Sequence, residues 1–142
     1  MLKSNGGDGT VKNIQFNNFI GHGNAYSLDI DTAWSSETLV AGDGITYSNI
    51  TFDSWTGTCA DGTSRGPIKV LCPDAVPCYD ITISNFEMWT DAGDSILYTC
   101  ENAYGTGGCL ADGDDYTSYA VTTQTITATP RVRCPRLWDD VC

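Results

Sequence analysis

Two aspartates, Asp29 and Asp31, form the candidate acid–base pair of this sequence. They end a short segment, residues 25–31, that reads as a β-strand, and residues two apart share one face of a strand. Like charges placed so close can separate the pKa values of two carboxyl groups and create an acid and a base. The alternative is a solvated or hydrogen-bonded strand edge without chemistry.

Other catalytic and metal chemistries find little support in the residue types. The sequence has a single histidine, His22, and its Ser, Cys and His residues suggest no nucleophilic triad. The acidic run at residues 112–115 resembles a calcium loop only in part, because the further carboxylate at the required spacing is missing. We therefore predict no metal and no cofactor.

Four of the seven cysteines are spaced as two local pairs, Cys72 with Cys78 and Cys100 with Cys109. These intervals lack the two-residue gaps and histidine partners of zinc sites. Both contain turn-forming Pro or Gly residues, so each pair is predicted to be a disulfide that closes a short loop.

Three near-copies of one seven-residue segment predict the elements that position these residues. They occupy residues 13–19, 49–55 and 80–86, and their starts lie 36 and then 31 residues apart. Repetition at such a period is typical of a solenoid, in which each copy belongs to one stacked coil. Stacking would align three columns: Ile14, Ile50 and Ile81; Phe16, Phe52 and Ile83; and Asn18, Ser54 and Asn85. The last column suggests a ladder of side-chain amides.

A second set of short strands lies between the copies. We predict them at residues 1–4, 25–31, 67–71 and 95–98. The fold prediction is an all-β, parallel β-solenoid of about three coils, with an antiparallel sandwich as the alternative. The longest loops, residues 32–42 and 56–66, are expected to line a binding cleft, because insertions in solenoids gather on one face.

Composition excludes some classes of partner. The net charge of −11 argues against nucleic acid and against anionic membrane surfaces. An acidic polysaccharide stays possible, because basic residues within a cleft can outweigh the charge of the whole chain. Asn49 begins an Asn-Ile-Thr sequence that is a candidate N-glycosylation site, although such triplets are common by chance.

Disulfides indicate secretion, yet the sequence opens without an apolar signal segment and contains no stretch of ~20 apolar residues. We expect the C-terminal portion of a longer, secreted, extracellular protein that is a monomer. Residues 1–119 would form the coils, and residues 120–142 an irregular, Thr-rich and basic tail. Cys59 would be a free thiol in a loop, and a Cys134–Cys142 bridge is left open.

Several segments together resemble glycoside hydrolase family 28, the right-handed parallel β-helix family of polygalacturonases and rhamnogalacturonases. They are Met-Leu-Lys-Ser-Asn-Gly-Gly at residues 1–7, the coil at residues 10–19, the copy within residues 44–57, and the cysteine loop with its following strand at residues 67–86. Residues 20–31 and 98–109 are similar to the fungal rhamnogalacturonases. The resemblance covers about residues 1–119.

The resemblance implies hydrolysis with inversion inside the backbone of pectin, an acidic polysaccharide of the plant cell wall. Inversion needs two carboxyl groups about 6.5–9.5 Å apart on opposite sides of the scissile bond. In the family these carboxylates precede an Arg-Ile-Lys tripeptide, whose place Met1, Leu2 and Lys3 take here. Lys3 would contact a uronate carboxylate, and the catalytic carboxylates are expected upstream of this chain.

The resemblance also bears on Trp34 and the two aspartates. Trp34 falls near the place of a cleft aromatic that would stack on a sugar face, although packing under its own loop is the alternative. Asp29 and Asp31 would point to the same side of a sugar, which suits substrate contact or a structural role better than inversion. The competing prediction is a non-catalytic β-solenoid that binds carbohydrate or serves as a cell-surface structure.

Overall fold

A computed structural model describes residues 1–127 of the chain. Its regular elements are all extended, because short alternating segments separated by Gly, Asn and Asp favour strands over helices. They are β1 (Leu2–Lys3), β2 (Gly6–Asn24), β3 (Leu28–Asp31), β4 (Val40–Cys59), β5 (Ile68–Leu71), β6 (Cys78–Thr90), β7 (Ile96–Glu101), β8 (Ala103–Thr106) and β9 (Thr122–Ile126). Within this range no helix is available that could cross a membrane.

The strands form two sheets whose neighbours come from successive coils. β1, β3, β5 and β7 pair in parallel in that order, and β2, β4, β6 and β8 do the same in the second sheet. Alternate strands of the chain thus belong to two different parallel sheets, which is the arrangement of a β-solenoid. The parallel solenoid prediction is confirmed, and the antiparallel sandwich is wrong.

The register of the second sheet confirms the apolar columns predicted from the repeats. The columns are Ile14–Ile50–Ile81 and Phe16–Phe52–Ile83. The rings of Phe16 and Phe52 stack with centroids 5.1 Å apart. Ile50 is fully buried, whereas Ile14 is only partly buried because it lies in the first of the stacked coils. Each coil therefore completes the core of its neighbour.

Two left-handed corners bend each of the long strands β2, β4 and β6. The corner residues have φ between 48° and 61°, a region that favours Asn and Asp among non-glycine residues. They are Asn13, Asn18, Asn49, Ser54, Asp80 and Asn85. The repeated polar residues thus turn the chain from one face of the coil to the next.

The amide ladder lies at the first corner and not at the predicted one. The amide of Asn49 donates to Asn13 Oδ1 at 2.8 Å. At the second corner the middle residue, Ser54, has no amide to extend a ladder, and Asn85 donates instead to Asp53 Oδ1 at 2.8 Å. The third predicted column is aligned, but its hydrogen bonding was predicted wrongly.

Both predicted disulfides are present. Cys72 and Cys78 are joined with a Cα–Cα distance of 5.8 Å, and Cys100 and Cys109 with one of 5.6 Å. Cys59 is a free thiol, as predicted, but it ends β4 and is buried instead of lying in a loop. A Cys134–Cys142 bridge lies outside the described residues.

The start of the expected irregular tail is a strand. β9 (Thr122–Ile126) pairs antiparallel with β7 and closes that edge of the first sheet. Threonine is β-branched and favours extended backbone, and an open sheet edge offers it unpaired backbone groups. The assignment of residues 122–126 to an irregular tail is therefore wrong.

Ile50→Ala should destabilise the fold by about 2–4 kcal/mol, because it leaves a cavity at a fully buried position between two coils. Ile20→Ala is the matched control, since Ile20 is 70% exposed, and it should change stability by less than about 0.5 kcal/mol. Urea unfolding of both variants measures this. Equal midpoints for the two would contradict the packing of the coils.

Candidate functional site

The outer face of the first sheet carries the candidate site. On β3, Leu28 and Ile30 point into the core, so Asp29 and Asp31 point to the opposite face. Both aspartates are nevertheless buried, with 4% and 7% of their surface exposed. The alternative of a solvated strand edge does not hold, because both carboxylates are buried. Its other form, a hydrogen-bonded strand edge, agrees with Asp31, which bonds to Lys69 and to the backbone of Ala33.

The covering loops are shorter than the sequence suggested. β4 (Val40–Cys59) includes both residues 40–42 and residues 56–59, since its parallel pairing with β2 continues beyond the repeated segment. Backbone pairing of this kind needs no apolar pattern. The remaining loops, residues 32–39 and 60–67, both contribute to one cavity, as the sequence predicted for the long loops.

Asp31 is held in an ion pair. Its Oδ2 lies 2.6 Å from Nζ of Lys69 on β5, and its Oδ1 accepts a hydrogen bond from the backbone N–H of Ala33 at 3.1 Å. The carboxylate side of this pair is only 10% exposed. The Lys69 side chain is 31% exposed, so the pair is partly buried, and removing one member would leave the other charge without its partner. Asp31 therefore serves to anchor Lys69 and the start of the loop.

Asp29 is buried without any hydrogen-bond partner on either carboxyl oxygen. Burial raises the pKa of Asp29 above its ordinary value; Lys69 opposes this effect and Asp31 adds to it. Lys69 is the register partner of Asp29, but its ammonium group bonds to Asp31. One cation is thus shared unequally between two acids, and Asp29 is left unpaired.

The unpaired Asp29 lines a cavity of about 300 Å³. The other lining residues come from the segment before β3, from both loops and from the strands β5 and β7. They are Tyr26, Trp34, Thr63, Ser64, Arg65, Gly66, Ile68, Lys69 and Thr99. A cavity with an aromatic wall, an acid and basic side chains is suited to a small, polar, ring-shaped ligand.

Trp34 is the centre of a group of aromatic and basic side chains. Its ring meets Tyr26 edge to face, with centroids 5.8 Å apart. Nζ of Lys3 lies 5.5 Å and Nζ of Lys69 5.9 Å from the Trp34 ring, and the Arg65 guanidinium lies 4.7 Å from the ring of Tyr26. Cations at such distances over aromatic rings are attracted to them.

Lys3 also forms an ion pair with Glu37, at 2.8 Å. The side chains are 41% and 48% exposed, and exposed pairs contribute little to stability. Glu37 lies in the loop of Trp34, whose backbone N–H donates to the Ser4 carbonyl at 2.9 Å. The first coil is thereby tied to the loop, and Lys3 keeps access to solvent.

Basic side chains are concentrated at this cleft, although the chain as a whole is acidic. Residues 1–127 contain four basic residues, and three of them, Lys3, Arg65 and Lys69, gather around Trp34 and Tyr26. The chain as a whole carries a net charge of −11. Local cations can therefore attract an anionic ligand that the overall charge would repel.

The structure brings together all four residues that the sequence indicated for substrate contact, Lys3, Asp29, Asp31 and Trp34. It adds Lys69, Arg65, Tyr26 and Glu37, which the sequence analysis did not select. Alignment of the predicted strands at residues 25–31 and 67–71 is the signal that would have placed Lys69 beside the aspartates. Arg65 and Glu37 carry no such signal, because they lie in loops.

Asn49, the predicted glycosylation site, lies apart from this cleft on β4. It is exposed at a left-handed corner, where its amide donates to Asn13. Its modification stays a prediction. Among residues 1–127 no group of three or more His, Cys, Asp or Glu side chains is placed to hold a metal ion.

Comparison with known proteins identifies similar sequences. Residues 2–109 match the model of glycosyl hydrolases family 28. Over 130 residues the chain is 60% identical to a probable rhamnogalacturonase B of Aspergillus fumigatus, and 64% and 62% identical to a probable rhamnogalacturonase A and a rhamnogalacturonase A of Aspergillus niger. Each alignment covers 92% of this chain but only 25% or 29% of the relative. The chain thus spans about a quarter of the length of these relatives.

Asp29→Asn should stabilise the fold at pH 7. The pKa of Asp29 is raised in the folded chain. Its contribution to the free energy of unfolding therefore falls as the pH rises from about 4, the ordinary carboxyl range, through the raised pKa. The extra stability of Asp29→Asn over the unmodified chain should therefore disappear as the pH is lowered to about 4. Urea unfolding at a series of pH values measures it.

Asp31→Asn is the control for this experiment, because it removes the partner of Lys69 and should destabilise the fold at pH 7. An Asp29→Asn variant that is less stable than the unmodified chain at pH 7 would show that Asp29 is not an unpaired buried acid.

Proposed function

Since this chain belongs to glycosyl hydrolases family 28, we propose that it is the C-terminal part of a secreted hydrolase that cleaves the pectin backbone with inversion. Within that enzyme the chain supplies a substrate-binding part of the cleft. The observation that carries the proposal is the group of three basic side chains around Trp34 and Tyr26 in an otherwise acidic chain.

The proposed substrate is rhamnogalacturonan, with polygalacturonan as the other pectin backbone considered. The names of the similar Aspergillus proteins favour the first. Met1, at the place of the arginine typical of polygalacturonases, favours it too. Both polymers are acidic, and lysine and arginine side chains are suited to their uronate groups. The enzyme would act outside the cell as a monomer, and the two disulfides suit that oxidising environment.

Lys3 and Trp34 would hold the polymer. The ammonium group of Lys3 would exchange its weak, exposed pair with Glu37 for a uronate carboxylate of the substrate. The partly buried ring of Trp34 would stack on the apolar face of a sugar. Asp31 would act indirectly, by fixing Lys69 at the cavity wall.

The acid and the base of the reaction are proposed to lie outside this chain. Asp29 and Asp31 project from one strand to the same side, whereas inversion needs carboxyl groups on opposite sides of the bond. Asp31 is also engaged by Lys69. This arrangement suits binding and not cleavage. The same arrangement would be expected in the alternative, a non-catalytic solenoid that binds carbohydrate.

The isolated chain should bind rhamnogalacturonan without hydrolysing it. In affinity electrophoresis, Lys3→Ala should weaken binding about fivefold or more, as expected for loss of a hydrogen bond to a charged group. Lys12→Ala is the matched control, because Lys12 is exposed on β2 and not in the cleft. Equal effects of the two variants, or release of reducing ends by the chain alone, would contradict the proposed role.

A chimera tests the enzyme against the binding module. The matching segment of Aspergillus niger rhamnogalacturonase A would be replaced by this chain, to which it is 62% identical. We expect the chimera to hydrolyse rhamnogalacturonan, because the cleft residues would again stand beside the relative's remaining coils. A folded chimera that binds the polymer but does not cleave it would favour the non-catalytic alternative.

A further inference from the structure

We propose that the cavity beside Trp34 binds one hexuronic acid unit, with Arg65 contacting its carboxylate and Asp29 accepting hydrogen bonds from its ring hydroxyls. The proposal deepens the function inferred above and rests on it for the class of polymer. It assigns sugar contacts to Arg65, in the loop before β5, and to Asp29 on β3, in addition to the contact proposed for Lys3 in the first coil.

The first observation is the unpaired acid. Both oxygens of Asp29 are buried and lack a partner, and the hydroxyl of the nearby Ser27 is also buried and unpaired. Buried polar groups are nearly always hydrogen-bonded, so two such orphans at one end of β3 indicate a missing partner. Asp29 lines the cavity, which places that partner inside it.

The second observation is a cation without an acidic partner among residues 1–127, Arg65, which also lines the cavity. Arg65 is exposed, lies over the ring of Tyr26 and forms no salt bridge with an acid in the described part of the chain. Its planar guanidinium is suited to bidentate contact with a carboxylate. Lys69, in contrast, is already bound to Asp31.

These charges together select the ligand. A simple cation would be repelled by Lys69 and Arg65, and a simple anion would be repelled by Asp29. A sugar acid satisfies both sides, because its hydroxyl groups donate to the buried acid while its carboxylate reaches the guanidinium. The volume of about 300 Å³ lies at the lower end of the range for small-ligand sites, which suits one sugar ring.

Titration of the ¹⁵N-labelled 142-residue chain with D-galacturonate and with D-galactose tests the proposal. The two sugars have the same ring hydroxyls and differ in the charged group at C6. Galacturonate should shift the amides of residues 63–66 and the indole N–H of Trp34, and it should bind about tenfold more tightly than galactose, as one charge-assisted contact allows.

Two variants separate the two contacts. Arg65→Gln should weaken galacturonate about tenfold and leave galactose unchanged, so that the preference disappears. Asp29→Asn should weaken both sugars to a similar extent, because it acts on shared hydroxyls; its folded state is checked by the urea experiment above. Lys12→Ala should change neither.

Absence of shifts at the cavity residues, or equal affinity for the two sugars that Arg65→Gln does not alter, would overturn the proposal. Binding of rhamnogalacturonan that depends on Lys3 but is unchanged by Arg65→Gln and Asp29→Asn would also overturn it, while the proposed function would stand. If the unmodified chain does not bind rhamnogalacturonan at all, the proposed function is rejected instead.

Discussion

Parallel pairing in fixed register between successive coils is the constraint on which the rest of this structure depends. It places Ile50 between Ile14 and Ile81, and so lets each coil bury the apolar face of the next. Because side chains alternate along a strand, a slip of one residue would turn the acids of β3 into the core. The same register that builds the core therefore also positions the cleft.

The cleft illustrates how one shared cation can divide two neighbouring acids. Lys69 lies opposite Asp29 in register yet bonds to Asp31, which gains a partner and a structural role. Asp29 keeps a raised pKa and two unpaired oxygens, which disfavours its charged form in the folded state. Groups that cost stability in this way are typical of binding sites, where a ligand supplies the missing partner.

Much of the fold could be predicted from the sequence, because its signals are local. Repeats of seven residues gave the columns, and cysteine spacing gave both disulfides. The resemblance to family 28 is confirmed by the match over residues 2–109. The strand at Thr122–Ile126 escaped prediction, because an isolated Thr-rich segment becomes a strand only where β7 offers an unpaired edge.

For the site, the sequence by itself determined that Asp29 and Asp31 share one face of a strand and that Lys3 and Trp34 are candidate sugar contacts. Only the tertiary structure decided that the two acids are buried, that Lys69 joins Asp31, and that Arg65 reaches Tyr26. The physical reason is distance along the chain: these contacts join residues 38 or 39 positions apart. Their geometry follows from coil register and loop path, which no local pattern of residues encodes.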